Sequence, residues 1–138
     1  MSAPGPSDPP AADQYAVGPA EQVRHRPAGQ AESVAASRFW WDAEAADYVA
    51  EHRTILGDAC LMWGPEGVYE AELGLLGPLV GRDVLEFGAG AAQGSRWCAA
   101  QGARVVASDL SASMLGQGRA LDRDLADRPS AYVQCDAA

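Results

Sequence analysis

One stretch of this sequence joins a carboxylate to closely spaced glycines: Glu86-Phe87-Gly88-Ala89-Gly90-Ala91-Ala92-Gln93-Gly94. It continues a short apolar run, Val84-Leu85-Glu86-Phe87, and leads into a stretch that reads as helix from Ala92 to Gln101. Between a strand and a helix such glycines have definite uses. Gly88 permits a tight turn, and Gly90 lets the backbone approach a ligand with no Cβ in the way. Amides that open the following helix favour an anionic group. Asp109 stands 109 − 88 = 21 residues beyond the first glycine, directly after the next expected strand. A carboxylate at that place accepts hydrogen bonds from two ribose hydroxyls. Asp136 follows the third expected strand at the same carboxyl edge, where it can receive an exocyclic adenine amino group. Open α/β sheets bind their ligands along this edge.

Local detail selects the nucleotide. A dinucleotide fingerprint wants glycine three residues beyond Gly90, and Gln93 occupies that place. Such a fingerprint also keeps an apolar residue where Glu86 stands, because a pyrophosphate repels a neighbouring carboxylate. A cation reverses the sign, and attraction to a partly buried carboxylate is worth a few kcal/mol at an effective dielectric of about 20. S-adenosylmethionine carries a sulfonium and an ammonium and no phosphate, so Glu86 favours it over NAD. Plainer readings stand beside these: Glu86 as a strand-end carboxylate, Asp109 as a helix cap, Asp136 as an exposed turn residue. Ser111 is better placed than Asp109 to cap the helix that follows.

A sheet must hold these residues in place. Arg104 to Ser108 reads as a second strand, and Gly102 stands where a helix end wants a left-handed residue. After Ser111 a helix carries Met114, Leu115, Leu121 and Leu125 as its apolar stripe; Pro129 breaks it, and Ala131 to Cys135 reads as a third strand. Nearly solid apolar strands alternating with helices predict a parallel, doubly covered α/β sheet. Right-handed crossovers order its strands third, second, first. The Val84 strand then has a neighbour on one side only, a naked edge that a soluble domain avoids. The sequence therefore predicts further chain after Ala138.

Upstream, residues 1–35 are rich in Pro, Ala, Gly, Ser and Gln and predict a disordered tail. Residues 36–80 predict a helical N-terminal cap. It opens on Phe39, Trp40 and Trp41, continues through Ala45, Tyr48 and Val49, and has a second helix over Val68 to Leu76 ended by Gly77-Pro78. Residues 81–138 form the first half of a cofactor-binding domain. The net charge of −9 argues against a nucleic-acid partner. No apolar run is long enough for a membrane span, and the N-terminus lacks a secretory pattern, which favours a cytoplasmic protein. Cys60, Cys98 and Cys135 fit neither a disulfide framework nor a zinc site. Ser95 lacks a nucleophile-elbow pattern, and His25 and His52 lack a partner at a telling spacing. No residue pattern marks a metal ligand or a catalytic base.

The segment VLEFGAGAAQGSRWCAAQGARVVASDLSASML, Val84 to Leu115, resembles the first two motifs of the class I S-adenosylmethionine-dependent methyltransferases of the broad small-molecule type. The likeness extends from about Phe39 to Ala138. It implies a Rossmann-like parallel sheet with helices on its faces, incomplete, with fewer than half of the family's strands present. It also implies that Glu86, Gly88 and Gly90 hold the methionine end of the cofactor, that Asp109 holds the ribose, that Leu110 packs on adenine, and that Asp136 binds the adenine amino group. Ala92 departs from the pattern, since many members have a third glycine there. The aromatic helix is similar to the family's variable cap, in which Trp40, Trp41 or Tyr48 would close over the cofactor; core packing is their plainer role. The implied activity is methyl transfer from S-adenosylmethionine to an unidentified small-molecule acceptor, the chain being an N-terminal fragment inactive by itself. The rival readings are an NAD-dependent oxidoreductase half-domain and a non-catalytic nucleotide-binding module completed by a partner.

Overall fold

The centre of the sheet is set by Arg104-Val105-Val106-Ala107-Ser108-Asp109, whose β-branched and small residues suit a strand flanked on both sides. In the computed structural model, which describes residues 27–64, 66–129 and 131–137, this segment is β4 (Arg104–Asp109). It pairs in parallel with β3 (Asp83–Phe87) and with β5 (Ala131–Gln134). The order β3-β4-β5 is the one the crossover rule predicts. Register places Glu86 beside Ala107, Phe87 beside Ser108 and Asp109 beside Gln134, so the carboxyl ends of all three strands share one edge.

Two helices complete the crossovers, α3 (Gln93–Ala100) and α4 (Ala112–Leu121). Both pack on the face that carries Val84, Val105, Ala107 and Tyr132, where buried Cys98, Ala92 and Leu79 meet the strands. Helices on both faces are predicted from the apolar strands, but two right-handed crossovers running in one direction leave both helices on one side. The opposite face presents Leu85, Phe87 and Val133 at 54%, 61% and 43% exposure. Ser111 caps α4 as expected, its Oγ accepting from Met114 N at 3.0 Å, and Gly102 closes the α3 turn at φ +86°. Helix α4 stops at Leu121, well before Pro129, and a short 3-10 turn over Asp122–Asp124 follows. Leu125 therefore lies beyond the helix whose stripe it is predicted to join.

The cap differs more from its sequence pattern. Helix α1 spans Gln30–Leu56, so residues 30–35, which the composition assigns to a tail, are helical. Ala31, Glu32, Ala35 and Ala36 are good helix formers and extend the helix ahead of its aromatic cluster; residues 1–26 of the expected tail lie outside the described residues. Val68 and Tyr69 form β2 rather than helix, paired antiparallel with β1 (Met62–Trp63). Helix α2 is short, Glu70–Leu73, because Gly74 turns left-handed at φ 62°. The buried Glu70 carboxylate then receives Trp63 Nε1–H at 2.8 Å and Leu76 N–H at 2.6 Å, folding the chain back on itself. No helix among the described residues is long and apolar enough to cross a membrane.

Helix α1 lies along α4. Ala45 and Val49 pack on Met114 and on Ala91 of the glycine turn, with Trp41, Tyr48 and Leu121 around them. One side chain ties the two helices by polar contact: Asp42 Oδ1 accepts from Ser111 Oγ at 2.5 Å and from Ser113 N at 3.0 Å. Asp42 thus adds a second cap to α4. Replacing it with alanine is expected to cost about 1–2 kcal/mol, read from the thermal midpoint. The Ser111 hydroxyl, then the Ser113 amide, holds the Asp42 carboxyl below its ordinary value of 3.8. A depressed folded pKa means that this contribution is present above pH 3.8 and disappears as pH falls further. The acid limb of a stability-versus-pH curve should therefore flatten in Asp42→Ala.

Candidate functional site

The turn between β3 and α3 needs three left-handed residues in five: Gly88 at φ 64°, Gly90 at 54° and Ala92 at 63°. Glycine adopts that region freely and alanine does not. Three bonds hold the turn to β4 and to itself: Ala89 N donates to Ser108 O at 2.9 Å, Gly90 N to Asp109 Oδ2 at 2.8 Å, and Ala92 N to Ala89 O at 2.7 Å. A Cβ on Gly90 would meet the Met114 methyl at 3.1 Å, so the close approach of α4 also restricts this position.

A cavity of about 580 Å³ opens above the turn at the carboxyl edge of the sheet. Phe87, Gly88 and Gly90 line one side; Ser108, Asp109, Leu110 and Met114 line the next; Cys135 and Asp136 close the β5 side. Trp41, Tyr48 and Ser37 bring α1 over it as a roof. Trp41 and Tyr48 contact each other edge to face at 5.3 Å, and Tyr48 stacks on His52 at 4.3 Å, so a row of rings stiffens this part of the helix. Trp40 packs edge to face on Trp41 from outside and is half exposed.

Asp109 is the best-placed polar group in the cavity. Its Oδ2 takes the Gly90 amide and its Oδ1 takes the Ser111 amide, each at 2.8 Å. A carboxylate has about four acceptor positions, so each oxygen keeps capacity for a donor from the cavity. Five of the six residues singled out from the sequence line this one space: Gly88, Gly90, Asp109, Leu110 and Asp136.

Glu86 does not line it. Its carboxylate points beneath the turn to the start of α3, where Oε2 accepts from Ser95 Oγ at 2.5 Å. A Cβ on Gly94 would stand 2.5 Å from Oε1, which explains a glycine in the first turn of a helix. Burial pushes the Glu86 carboxyl above the ordinary glutamate range, opposed by the Ser95 hydroxyl and amide and by the nearby Arg96 charge. The negative group that α3 favours at its N-terminus is therefore supplied by the chain itself.

Sequence reasoning missed Arg96. Its side chain is fully buried, and its guanidinium meets four partners: Asp58 O at 2.5 Å, Ala91 O at 2.6 Å, Asp122 Oδ1 at 2.9 Å and Gly118 O at 3.5 Å. Asp122 in turn receives the Tyr132 hydroxyl at 2.5 Å. Desolvation, reinforced by the Asp122 carboxylate, raises the Tyr132 pKa. The one available signal was phase: Arg96 is four residues from Ala92 and so shares its inward face of the helix.

A scan of protein-family models finds no match to this chain, and neither does a search of curated protein sequences. Solved structures do match. Magnesium protoporphyrin IX methyltransferase from Synechocystis PCC 6803, with bound S-adenosylhomocysteine (SAH), covers 74% of this chain with 51% of its own, at 24% identity and a TM-score of 0.52. Phosphoethanolamine N-methyltransferase 1 of Haemonchus contortus, in complex with phosphoethanolamine and S-adenosylhomocysteine, covers 79% of this chain with 22% of its own, at 15% identity and a TM-score of 0.54. The fold is that of the class I S-adenosylmethionine-dependent methyltransferases. The chain spans about half the length of the first of these methyltransferases and about a fifth of the second. Its three parallel strands and two crossover helices match an incomplete Rossmann-like methyltransferase sheet.

Proposed function

We propose that this chain binds S-adenosylmethionine and forms the cofactor-holding part of a methyltransferase that acts on a small-molecule acceptor. The observation that carries this reading is the Glu86 carboxylate on the opening turn of α3. A dinucleotide places its diphosphate at that helix end, and here the place is already taken by an anion. A ligand with no phosphate and a positive sulfur suits the same arrangement by sign.

The residues present fit such a cofactor. Asp109 would receive the two ribose hydroxyls on the acceptor positions its backbone donors leave open. Leu110 would pack on adenine, and Asp136 would accept from the adenine amino group. Gly88 and Gly90 keep side-chain atoms away from the methionine end, and Glu86 acts on that end from beneath the turn through its charge. Trp41 and Tyr48 line the cavity from α1, where their rings would shield the polar contacts of a bound cofactor from water. When bound, the cofactor supplies an electrophilic methyl group on a sulfonium leaving group. The protein's contribution to such a displacement is mainly alignment and desolvation. The isolated chain is proposed to hold cofactor without turning it over.

Calorimetric titration of the chain with SAH and, separately, with NAD tests the reading. SAH should bind and NAD should give no heat of binding. NAD binding tighter than SAH would reverse the assignment in favour of an oxidoreductase half-domain.

A further inference from the structure

We infer that Arg96 is a positioning residue for the cofactor cavity: by gripping the Ala91 carbonyl it holds Ala92 in the left-handed turn conformation that glycine would adopt unaided. This inference rests on the proposed cofactor site for its functional readout and on ligand-free geometry for the rest.

Ala92 is the only non-glycine residue with positive φ among the described residues, at φ 63° and ψ 34°. It is also fully buried. A left-handed alanine is unfavourable, because its Cβ crowds the backbone carbonyl. Something must therefore over-determine the turn. The flanking bonds from Ala89 N and Gly90 N fix its first half against β4. The second half, the Ala91–Ala92 peptide, is held at its amide by Ala89 O, 2.7 Å from Ala92 N, and at its carbonyl by Arg96 Nη2, 2.6 Å from Ala91 O.

The guanidinium cannot swing to accommodate a different turn. Nε is committed to Asp58 O, in the loop that follows α1, and Nη1 to Asp122 at the end of α4. Tyr132 of β5 holds Asp122 from the other side. A planar fork with two of its edges engaged presents the third in one direction only. That direction is the carbonyl next to Gly90, whose amide binds the carboxylate proposed to receive the ribose. Arg96 thereby ties the glycine turn to α4, to β5 and to the loop below the roof helix, fixing the separation of the cavity walls that they carry.

The experiment is a cycle of wild type, Arg96→Lys, Ala92→Gly and the double variant, each checked for folding by circular dichroism at the titration temperature. Arg96→Lys keeps a positive charge for Asp122 but loses the fork. It should weaken SAH binding by about tenfold, Ala92→Gly should stay within about threefold of wild type, and the double variant should recover most of the loss. A double variant as weak as Arg96→Lys, or Arg96→Lys binding like wild type, would overturn the inference. Val105→Ala, a core truncation away from the turn, serves as the control for lowered stability and should leave affinity unchanged. Ligand-free NMR gives an independent arm: the Ala92 carbon shifts should report a left-handed residue in wild type and Val105→Ala, and leave that region in Arg96→Lys. Wild type that ignores SAH would sink the proposed function, while the NMR arm would still decide whether Arg96 holds the turn. If Arg96→Lys does not fold, Tyr132→Phe, which releases one Asp122 oxygen, should move the Ala92 shifts the same way by less; no movement would overturn the inference.

Discussion

Alanine at position 109 is expected to reduce SAH affinity about 100-fold or more, to the limit of calorimetric detection. A charged acceptor contributes roughly 1.5–3 kcal/mol per hydrogen bond, and two ribose hydroxyls make two such bonds. Each 1.4 kcal/mol is about a factor of ten, so the pair alone accounts for a loss of this size. The substitution also releases the Gly90 and Ser111 amides, which Asp109 holds at 2.8 Å each. That loosens the turn at the point where it faces the cavity. Asp109→Asn retains one acceptor oxygen and should lose about tenfold, an intermediate result that a purely steric role would not give. The α4 cap made by Ser111 Oγ is untouched by either change, so the helix should persist by circular dichroism. Unchanged affinity in Asp109→Ala would remove the ribose from this carboxylate.

The largest effect on stability should come from Asp122→Ala. Asp122 is almost fully buried and supplies the only carboxylate paired with the buried Arg96 among the described residues. A buried pair adds little when intact, because desolvation offsets its attraction, yet losing one partner leaves a charge without compensation. The expected cost is about 3–5 kcal/mol. For a domain of this size that lowers the thermal midpoint by about 15 °C or more. The Tyr132 hydroxyl loses its acceptor in the same step, which adds to the cost. Asp122→Asn keeps the hydrogen-bonding shape and loses only the charge, so it should fall between wild type and alanine. A midpoint shift below about 4 °C in Asp122→Ala would show that the ion pair is not what closes this part of the core.

The parts of the fold readable in the sequence were those with a local cause. Val84 to Phe87, Arg104 to Ser108 and Ala131 to Cys135 carry strand composition between glycine and capping signals, and strand order follows from crossover handedness. Ser111 and Gly102 act as cap and helix stop because each role depends on its own backbone neighbours. Five of the six chosen site residues share a cavity because motif spacing on such a sheet is itself a spatial statement. What escaped depends on how one element is laid against another. Arg96 reaches partners at 58, 118 and 122, and no local pattern announces them. Val68 and Tyr69 fit a helical phase, but tertiary pairing with Met62 and Trp63 prevails over it. Glu86 is the one of the six that does not line the cavity. Its partner, Ser95, could be found only once the first turn of α3 was laid against β3. The exposed Leu85, Phe87 and Val133 depart from the doubly covered sheet that strand composition predicts, because both crossover helices lie on the other face.

The central claim is that a phosphate-free, positively charged cofactor lies over the glycine turn while Glu86 keeps the start of α3. Crystallography of the chain soaked with S-adenosylmethionine tests it most directly. The ribose hydroxyls should lie on Asp109, the adenine between Leu110 and Asp136, and the Glu86 carboxylate should stay on Ser95. Density for a diphosphate on the α3 amides after soaking with NAD, with Glu86 displaced from Ser95, would contradict it.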